Sequence, residues 1–276
     1  MEEYELGEPI GYGSFSTVYR ALNRKTNKIF AIKLAKIEED FEEETTITNA
    51  NIDKVLKYDM KRIEKEIELW KPLDHDNLCR LLDVIVDEKE KKVAFIMEYA
   101  KDGDLLNLLS EKSLETEVIK EYFRQLCEAV NYLHGKLVIH GDIKLENILL
   151  NESKIKLSDF GLARRASNCG FVENCGTVEY AAPELLQTAV DSAECDPFKA
   201  DIWALGVALY ALIHRQFPFD GPTPKILKVR ILTSEPAYPI LEDEETEKLQ
   251  KLVKKMLEKN WQRRPSIEEI LNDLEH

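Results

Sequence analysis

From Tyr4 to Leu34 the apolar residues come in short β-type runs broken by Gly and Asn, and VAFIMEY at 93 to 99 repeats the pattern. The first hundred residues are therefore predicted to be mainly sheet. One helix interrupts them: between about Lys54 and Lys71 (KVLKYDMKRIEKEIELWK), Leu56, Ile63, Ile67 and Trp70 recur at helical spacing and charges fill the other face. After about Gly103 helical patterns dominate, as in LETEVIKEYFRQLCEAVNYLHG and EETEKLQKLVKKMLEKNW. IWALGVALYALI at 202 to 213 is strongly apolar, too short to span a bilayer and suited to a buried helix. The gap between HGDIKLENILL (140 to 150) and SDFG (158 to 161) fits one short hairpin. The segment IEEDFEEETTITNANID (37 to 53) is longer and more acidic than a short connection requires, and reads either as a solvated surface insertion or as a docking element.

Residues that carry chemistry gather between those elements. Asp142, Asn147 and Asp159 fall on neighbouring loops, one potential base and two potential oxygen ligands for magnesium. Such a grouping suits phosphoryl transfer, in which positioning and charge neutralisation do most of the catalysis. Taken alone, the same residues also fit turns and helix caps. Upstream, Gly11 and Gly13 let a turn between strands approach phosphate oxygens with no Cβ in the way. Lys33 ends a buried apolar run, where an ammonium is costly unless paired. The following helix offers Glu64, Glu66 and Glu68, either as its partner or as a solvated face.

IGYGSFSTVY (10 to 19), AIK (31 to 33), HGDIKLENILL, SDFG, AAPE closing at Glu184 and DIWALG from Asp201 follow the order and rough spacing of the eukaryotic protein kinase signature set. The chain resembles a Ser/Thr protein kinase catalytic domain over essentially its whole length. CGTxxYAAPE and ADIWALGVxLYALI are similar to the calmodulin-dependent and sucrose-nonfermenting-like kinases. The resemblance implies an α+β, bilobal fold: an antiparallel sheet with one regulatory helix over 1–97, including the acidic insertion at about 37–53, a hinge at 98–102, and a mainly helical lobe over 103–276. One catalytic domain would fill the chain.

It also implies ATP and Mg²⁺. By that resemblance ATP would be held by Ile10, Gly11, Tyr12, Gly13, Ser14, Phe15, Ser16, Thr17 and Val18, by Ala31 and Lys33, by Met97 as gatekeeper, and by the backbone of Glu98 and Ala100. The motif ExxxWxxLxxHxN singles out Glu66 to hold Lys33 against the α and β phosphates, and Asp104 would meet the ribose or a substrate arginine. Asp142 would accept or orient the hydroxyl proton, Lys144 would contact the γ phosphate, Asn147 and Asp159 would hold metal, and Thr177 would bond the catalytic Asp and Lys. A lysine at 144 resembles the Ser/Thr kinases. His140, Phe160, Leu81 and Trp70 resemble a stacked apolar column, Glu184 and Arg264 a buried ion pair, and Asp201 and Trp203 anchors of a central helix.

Three positions depart from the family pattern. The third loop glycine is Ser16, the arginine before the catalytic aspartate is Gly141, and the activation-loop position where relatives carry a phosphorylated Thr is Glu173. With both halves of the phosphate switch missing, the expectation is a kinase that needs no activation-loop phosphorylation, with Arg164 or Arg165 pairing with Glu173. The alternative is a pseudokinase acting as a nucleotide-binding scaffold. Ser167, behind Arg164 and Arg165, reads as a possible phosphosite. Cys169 and Cys175 read as unrelated thiols or as an oxidisable pair.

The formal charge of −14 disfavours nucleic acid and anionic membrane as partners and favours basic peptide segments. Asp104 and Glu146 occupy positions that in basophilic relatives face an arginine, which points to an Arg-x-x-Ser/Thr preference in protein substrates. Five scattered cysteines without CxxC spacing favour reduced thiols, and the acidic amino terminus lacks signal-peptide regions. A cytoplasmic or nuclear monomer is expected.

Overall fold

A computed structural model describes residues 3–13, 16–36, 60–87, 89–167, 177–187, 195–241 and 243–275. The chain divides into two compact units, Met1–Asp74 with Cys79–Ala100, and His75–Leu78 with Lys101–His276. Ser14, Phe15, Leu56, the acidic segment 37–53, Cys169, Glu173 and Cys175 lie outside the described residues.

The first unit is a five-stranded antiparallel sheet in the order β1-β2-β3-β5-β4. The strands are β1 (Tyr4–Tyr12), β2 (Ser16–Asn23), β3 (Ile29–Lys36), β4 (Leu81–Asp87) and β5 (Lys92–Met97). Ala21, Ile32, Ala94 and Ile96 form a buried cluster, flanked by Tyr4, Phe30, Leu34 and Ile85. Its one described helix, α1 (Met60–Trp70), buries Ile63, Glu66, Leu69 and Trp70. The buried face therefore centres on a carboxylate, and Ile67, expected on the apolar stripe, is half-buried. An apolar count misses this because Glu66 is drawn inward by Lys33 rather than by hydrophobicity. Trp70 locks the helix end by donating Nε1–H to the Cys79 carbonyl at 2.7 Å and stacking on Phe95.

The second unit is built on helices: α2 (Leu105–Glu111), α3 (Thr116–Gly135), α4 (Pro183–Leu186), α5 (Phe198–His214), α6 (Pro224–Thr233), α7 (Glu244–Met256) and α8 (Ile267–Glu275). Side-chain caps set several starts, Asp104 for α2, Thr223 for α6 and Asp243 for α7, each accepting from a backbone N–H three residues on. Every residue of α5 from Asp201 to Leu212 is buried, so this helix is the core around which α3 and α7 pack. Two small ribbons carry the loops: β6 (Val138–Ile139) pairs with β9 (Arg164–Arg165), and β7 (Ile148–Asn151) with β8 (Lys154–Leu157). The second is the expected hairpin between the two motif loops. No described helix is long and apolar enough to cross a membrane.

Candidate active site

The loop from His140 to Asn147 is held from behind by α5. Asp201, fully buried, accepts the backbone N–H of His140 through Oδ2 and that of Gly141 through Oδ1, each at 2.9 Å. His134 of α3 meets the same Oδ2 at 3.0 Å. Burial by itself would raise the Asp201 pKa. The bond and charge of His134, the charge of His140 and the Gly141 N–H outweigh it and hold the group below its usual range. His140 is sealed, its Nε2 3.1 Å from the Ser158 carbonyl and its ring tilted against Phe160.

On the other side of that loop the polar groups converge on one oxygen. Asn147 Nδ2 donates to Asp142 Oδ2 at 3.0 Å and to the Asp142 carbonyl at 2.8 Å, and Lys144 Nζ lies 2.8 Å from the same Oδ2. Lys144 Nζ also donates to Thr177 Oγ1 at 3.1 Å. Tyr180, just beyond, accepts the Leu145 N–H at 3.2 Å and donates to Glu146 at 3.4 Å, so the turn after Thr177 is tied to the same loop. Asp159 follows β8 with φ at +64°, a left-handed conformation that Asp tolerates better than most side chains. Ser158 fastens it by donating both its N–H and its hydroxyl to the Asn147 carbonyl, each at 2.9 Å.

Gly141 lies between these two sets of contacts with φ at +76°. A Cβ there would stand 3.0 Å from Arg164 Nη1 and 3.0 Å from the Leu162 carbonyl oxygen. The β9 arginine thus fills the space beside the loop, and its buried Nε has no hydrogen-bond partner among the described residues.

In the first unit Lys33 Nζ reaches Glu66 Oε1 at 3.1 Å, the side chains only 8% and 2% exposed, while Glu64 and Glu68 face outward. The second oxygen, Glu66 Oε2, is buried without a hydrogen-bond partner among the described residues. Val18 pairs with Lys33 across β2 and β3, and Ala31 with Met97 across β3 and β5. Ile10, Gly11 and Tyr12 end β1, with Gly11 opposite Val18 and Tyr12 opposite Thr17, and Gly13, just beyond, donates its N–H to the Ser16 carbonyl at 2.8 Å. Glu98 donates its N–H to the Arg80 carbonyl at 3.1 Å.

A model of the family described as protein kinase domain matches residues 4–274. The chain belongs to the protein kinase family. Among curated relatives, serine/threonine-protein kinase ppk34 of Schizosaccharomyces pombe is 34% identical over 99% of this chain and 82% of its own length. CBL-interacting protein kinase 10 of Oryza sativa subsp. japonica is 33% identical over 99% of this chain and 56% of its own. NUAK family SNF1-like kinase 1 of Homo sapiens is 35% identical over 98% and 38%. This kinase chain thus spans about half or less of the last two.

Within the kinase's second unit the fold gathers Asp142, Lys144, Asn147 and Thr177 into one hydrogen-bonded group. In the first, Lys33 and Glu66 form one buried pair. Asp104 caps α2, its two carboxylate oxygens taking the Asn107 N–H and side-chain amide. Sequence reasoning missed the grip of Asp201 and His134 on the loop from His140 to Asn147 and the packing of Arg164 on Gly141. The first joins residues about sixty positions apart, with no periodic signal between them, and the second depends on a glycine whose significance is the space it leaves.

For magnesium the donor set fits. Asn147 spends its Nδ2 on Asp142, which leaves the amide oxygen for a cation, and Asp159 adds a carboxylate. Two protein oxygens plus phosphate oxygens are what Mg²⁺ uses at nucleotide sites. Among the described residues no group of three or more His, Cys, Asp or Glu is arranged to hold a metal without such help.

Proposed function

We propose that this kinase transfers the γ-phosphate of ATP to Ser and Thr hydroxyls of protein substrates, without need of activation-loop phosphorylation. The observation that carries the reading is the convergence of Asn147 and Lys144 on one oxygen of Asp142. Both contacts fall on Oδ2, so Oδ1 keeps its lone pairs for an incoming hydroxyl. The substrate oxygen attacks the γ phosphorus, the bond from that phosphorus to the β-phosphate oxygen breaks, and the hydroxyl proton passes to Asp142. Lys144, tethered by Thr177, supplies positive charge to the transferring group, and Lys33, held by Glu66, supplies it to the α and β phosphates. Asn147 and Asp159 would hold Mg²⁺, which would neutralise phosphate charge.

Independence from loop phosphorylation rests on Gly141 and Glu173, and Arg164 supports it. A phosphate on the loop lacks its usual catalytic-loop receptor, and Arg164 or Arg165 would pair with the fixed carboxylate; among the described residues the Arg164 Nε has no hydrogen-bond partner. Asp104 and Glu146, both half-buried acids in a chain of net charge −14, favour substrates with arginine three residues before the acceptor. We place the kinase in the cytoplasm or nucleus as a monomer.

The experiment is γ-phosphate transfer from MgATP to an Arg-x-x-Ser peptide by phosphatase-treated protein beside Asp142→Asn. Transfer that the variant loses supports the reading. Silence in both, with nucleotide still bound and the fold intact, favours the pseudokinase alternative, for which Gly141, Ser16 and Glu173 are the departures.

A further inference from the structure

Lys101 is paired with Glu152, Lys154 with Asp76 and Lys248 with Glu245, and the bond to its carboxylate holds each of these surface ammoniums above its ordinary pKa. Lys259, just past α7, is placed differently. It is half-buried, and among the described residues no carboxylate lies within ion-pair distance of its Nζ. That nitrogen donates instead to the Ile231 carbonyl at 2.6 Å, an acceptor that the end of α6 leaves without an intrahelical donor. It also stands 4.1 Å from the centre of the Phe219 ring and 5.1 Å from that of Trp203, two rings stacked within 4° of parallel.

A second cation shares the cluster. The Arg264 guanidinium lies 4.9 Å from the centre of the same Trp203 ring, with its donors committed to Glu184 and to backbone carbonyls. An ammonium here gains from the ring faces and from one carbonyl, but gives up hydration and meets a like charge. Burial pushes the Lys259 amine down to about 8 against the pull of Glu235, with the Arg264 charge adding to the push and Glu258 opposing it. A lysine desolvated beside another cation is a nucleophile at neutral pH. Trp203 adds an independent sign, since its buried indole Nε1 has no hydrogen-bond partner among the described residues. A secondary amide on Nζ suits all of these neighbours. Its N–H keeps the Ile231 carbonyl, its own carbonyl brings an acceptor to the indole, its alkyl end meets aromatic carbon, and no charge faces Arg264.

We propose that Lys259 is an acylation site that takes a short acyl group from a thioester. The Nζ lone pair attacks the thioester carbonyl carbon, the C–S bond breaks, and the sulfur leaves as thiol with the proton that the nitrogen sheds. Trp203 follows Asp201 by two residues on α5, so the modified side chain rests on the helix that holds the loop from His140 to Asn147. No phosphoryl transfer is involved, and the proposal stands apart from the reading above.

The test incubates the whole folded chain with S-acetyl-N-acetylcysteamine, a small acetyl thioester, and follows the initial acetylation of each lysine by mass spectrometry as pH is raised. At about pH 7.5 Lys259 should react about tenfold faster than Lys101, Lys154 or Lys248, because its larger neutral fraction outweighs the weaker nucleophilicity of a less basic amine. Its rate should level off above about pH 8, while theirs keeps climbing. In concentrated urea the lead should vanish, since the fold supplies the rings and Arg264. Lys259 no faster than Lys154 in the folded chain, a Lys259 rate that climbs in step with the other three, or a lead that survives urea overturns the proposal.

Discussion

Each unit buries a Lys or Arg against a glutamate, and the two pairs differ in how completely they are satisfied. In the helical unit, Arg264 grips Glu184 through two 2.7 Å bonds, one to each oxygen, and spends its remaining N–H groups on the carbonyls of Glu258, Lys199 and Lys259. In the sheet unit, Lys33 meets Glu66 Oε1 at 3.1 Å, and the other carboxylate oxygen is buried without a hydrogen-bond partner among the described residues. A buried charge repays its desolvation only when its hydrogen-bonding capacity is filled. The first pair meets that condition from within the fold. The second does not, and an incompletely satisfied buried charge is where a ligand has something to add.

The largest effect is expected at the satisfied pair. Arg264→Met leaves Glu184 buried without a counter-charge and should cost about 3–5 kcal/mol in urea unfolding. Adding Glu184→Leu should restore much of the loss, because the stranded charge is then gone. A double variant no more stable than the single one would mean that the pair is not the origin of the cost.

The same chemical change in both pairs sharpens the contrast. Glu66→Gln keeps the shape and one acceptor for Lys33, so the unfolding midpoint should shift little, while γ-phosphate transfer falls on the order of 10²-fold as Lys33 loses its anchor. Glu184→Gln should do the reverse, removing about 1.5–3 kcal/mol of a charge-assisted fork with transfer by the folded fraction largely kept. Equal losses of stability from the two glutamines would erase the distinction drawn here.

These pairs also mark what the chain disclosed before it was folded. Lys33 and Glu66 were legible because an ammonium closing an apolar strand demands a partner and a motif spacing chose one glutamate of three. The buried helix around Trp203 and the hairpin after Asn147 were legible from unbroken hydrophobicity and from gap length. The buried face of α1 was only partly so, since hydrophobic counting chose Ile67 where the fold turned Glu66 and Leu69 inward. Asp201 was read as a helix anchor, and its two bonds to the catalytic loop were not visible because that contact is tertiary. Nor did the glycine at 141 disclose that Arg164 fills the space beside it.

Asp201 falls between the two cases, fully engaged by the fold and yet touching the reactive loop. Asp201→Asn can accept one of the two loop N–H groups with its remaining oxygen, and the other is left facing an NH₂. An unsatisfied buried donor costs about 1–3 kcal/mol. Because that donor belongs to His140 or Gly141, stability and transfer should fall together, unlike either glutamine variant. Full transfer at a lowered unfolding midpoint would show that the loop holds its geometry without this grip.

The smallest effect is a slope. His140 is completely buried, and burial pushes its pKa below the ordinary 6.5, against the opposing pull of Asp201, Asp142, Asp159 and the Ser158 carbonyl. In the folded chain the ring therefore stays neutral where the unfolded chain already takes up a proton. Below about pH 6.5 the unfolded state binds more protons than the folded one, so this group's contribution is complete above that pH and drains away as pH falls towards the depressed folded value. His75 and His214, both lowered chiefly by burial, drain in the same direction. His140→Phe keeps a ring against Phe160 and cannot titrate. Its urea midpoint, whatever its value at neutral pH, should fall less steeply on acidification than that of the unsubstituted chain, and superimposable slopes would mean that the buried imidazole accepts its proton in place.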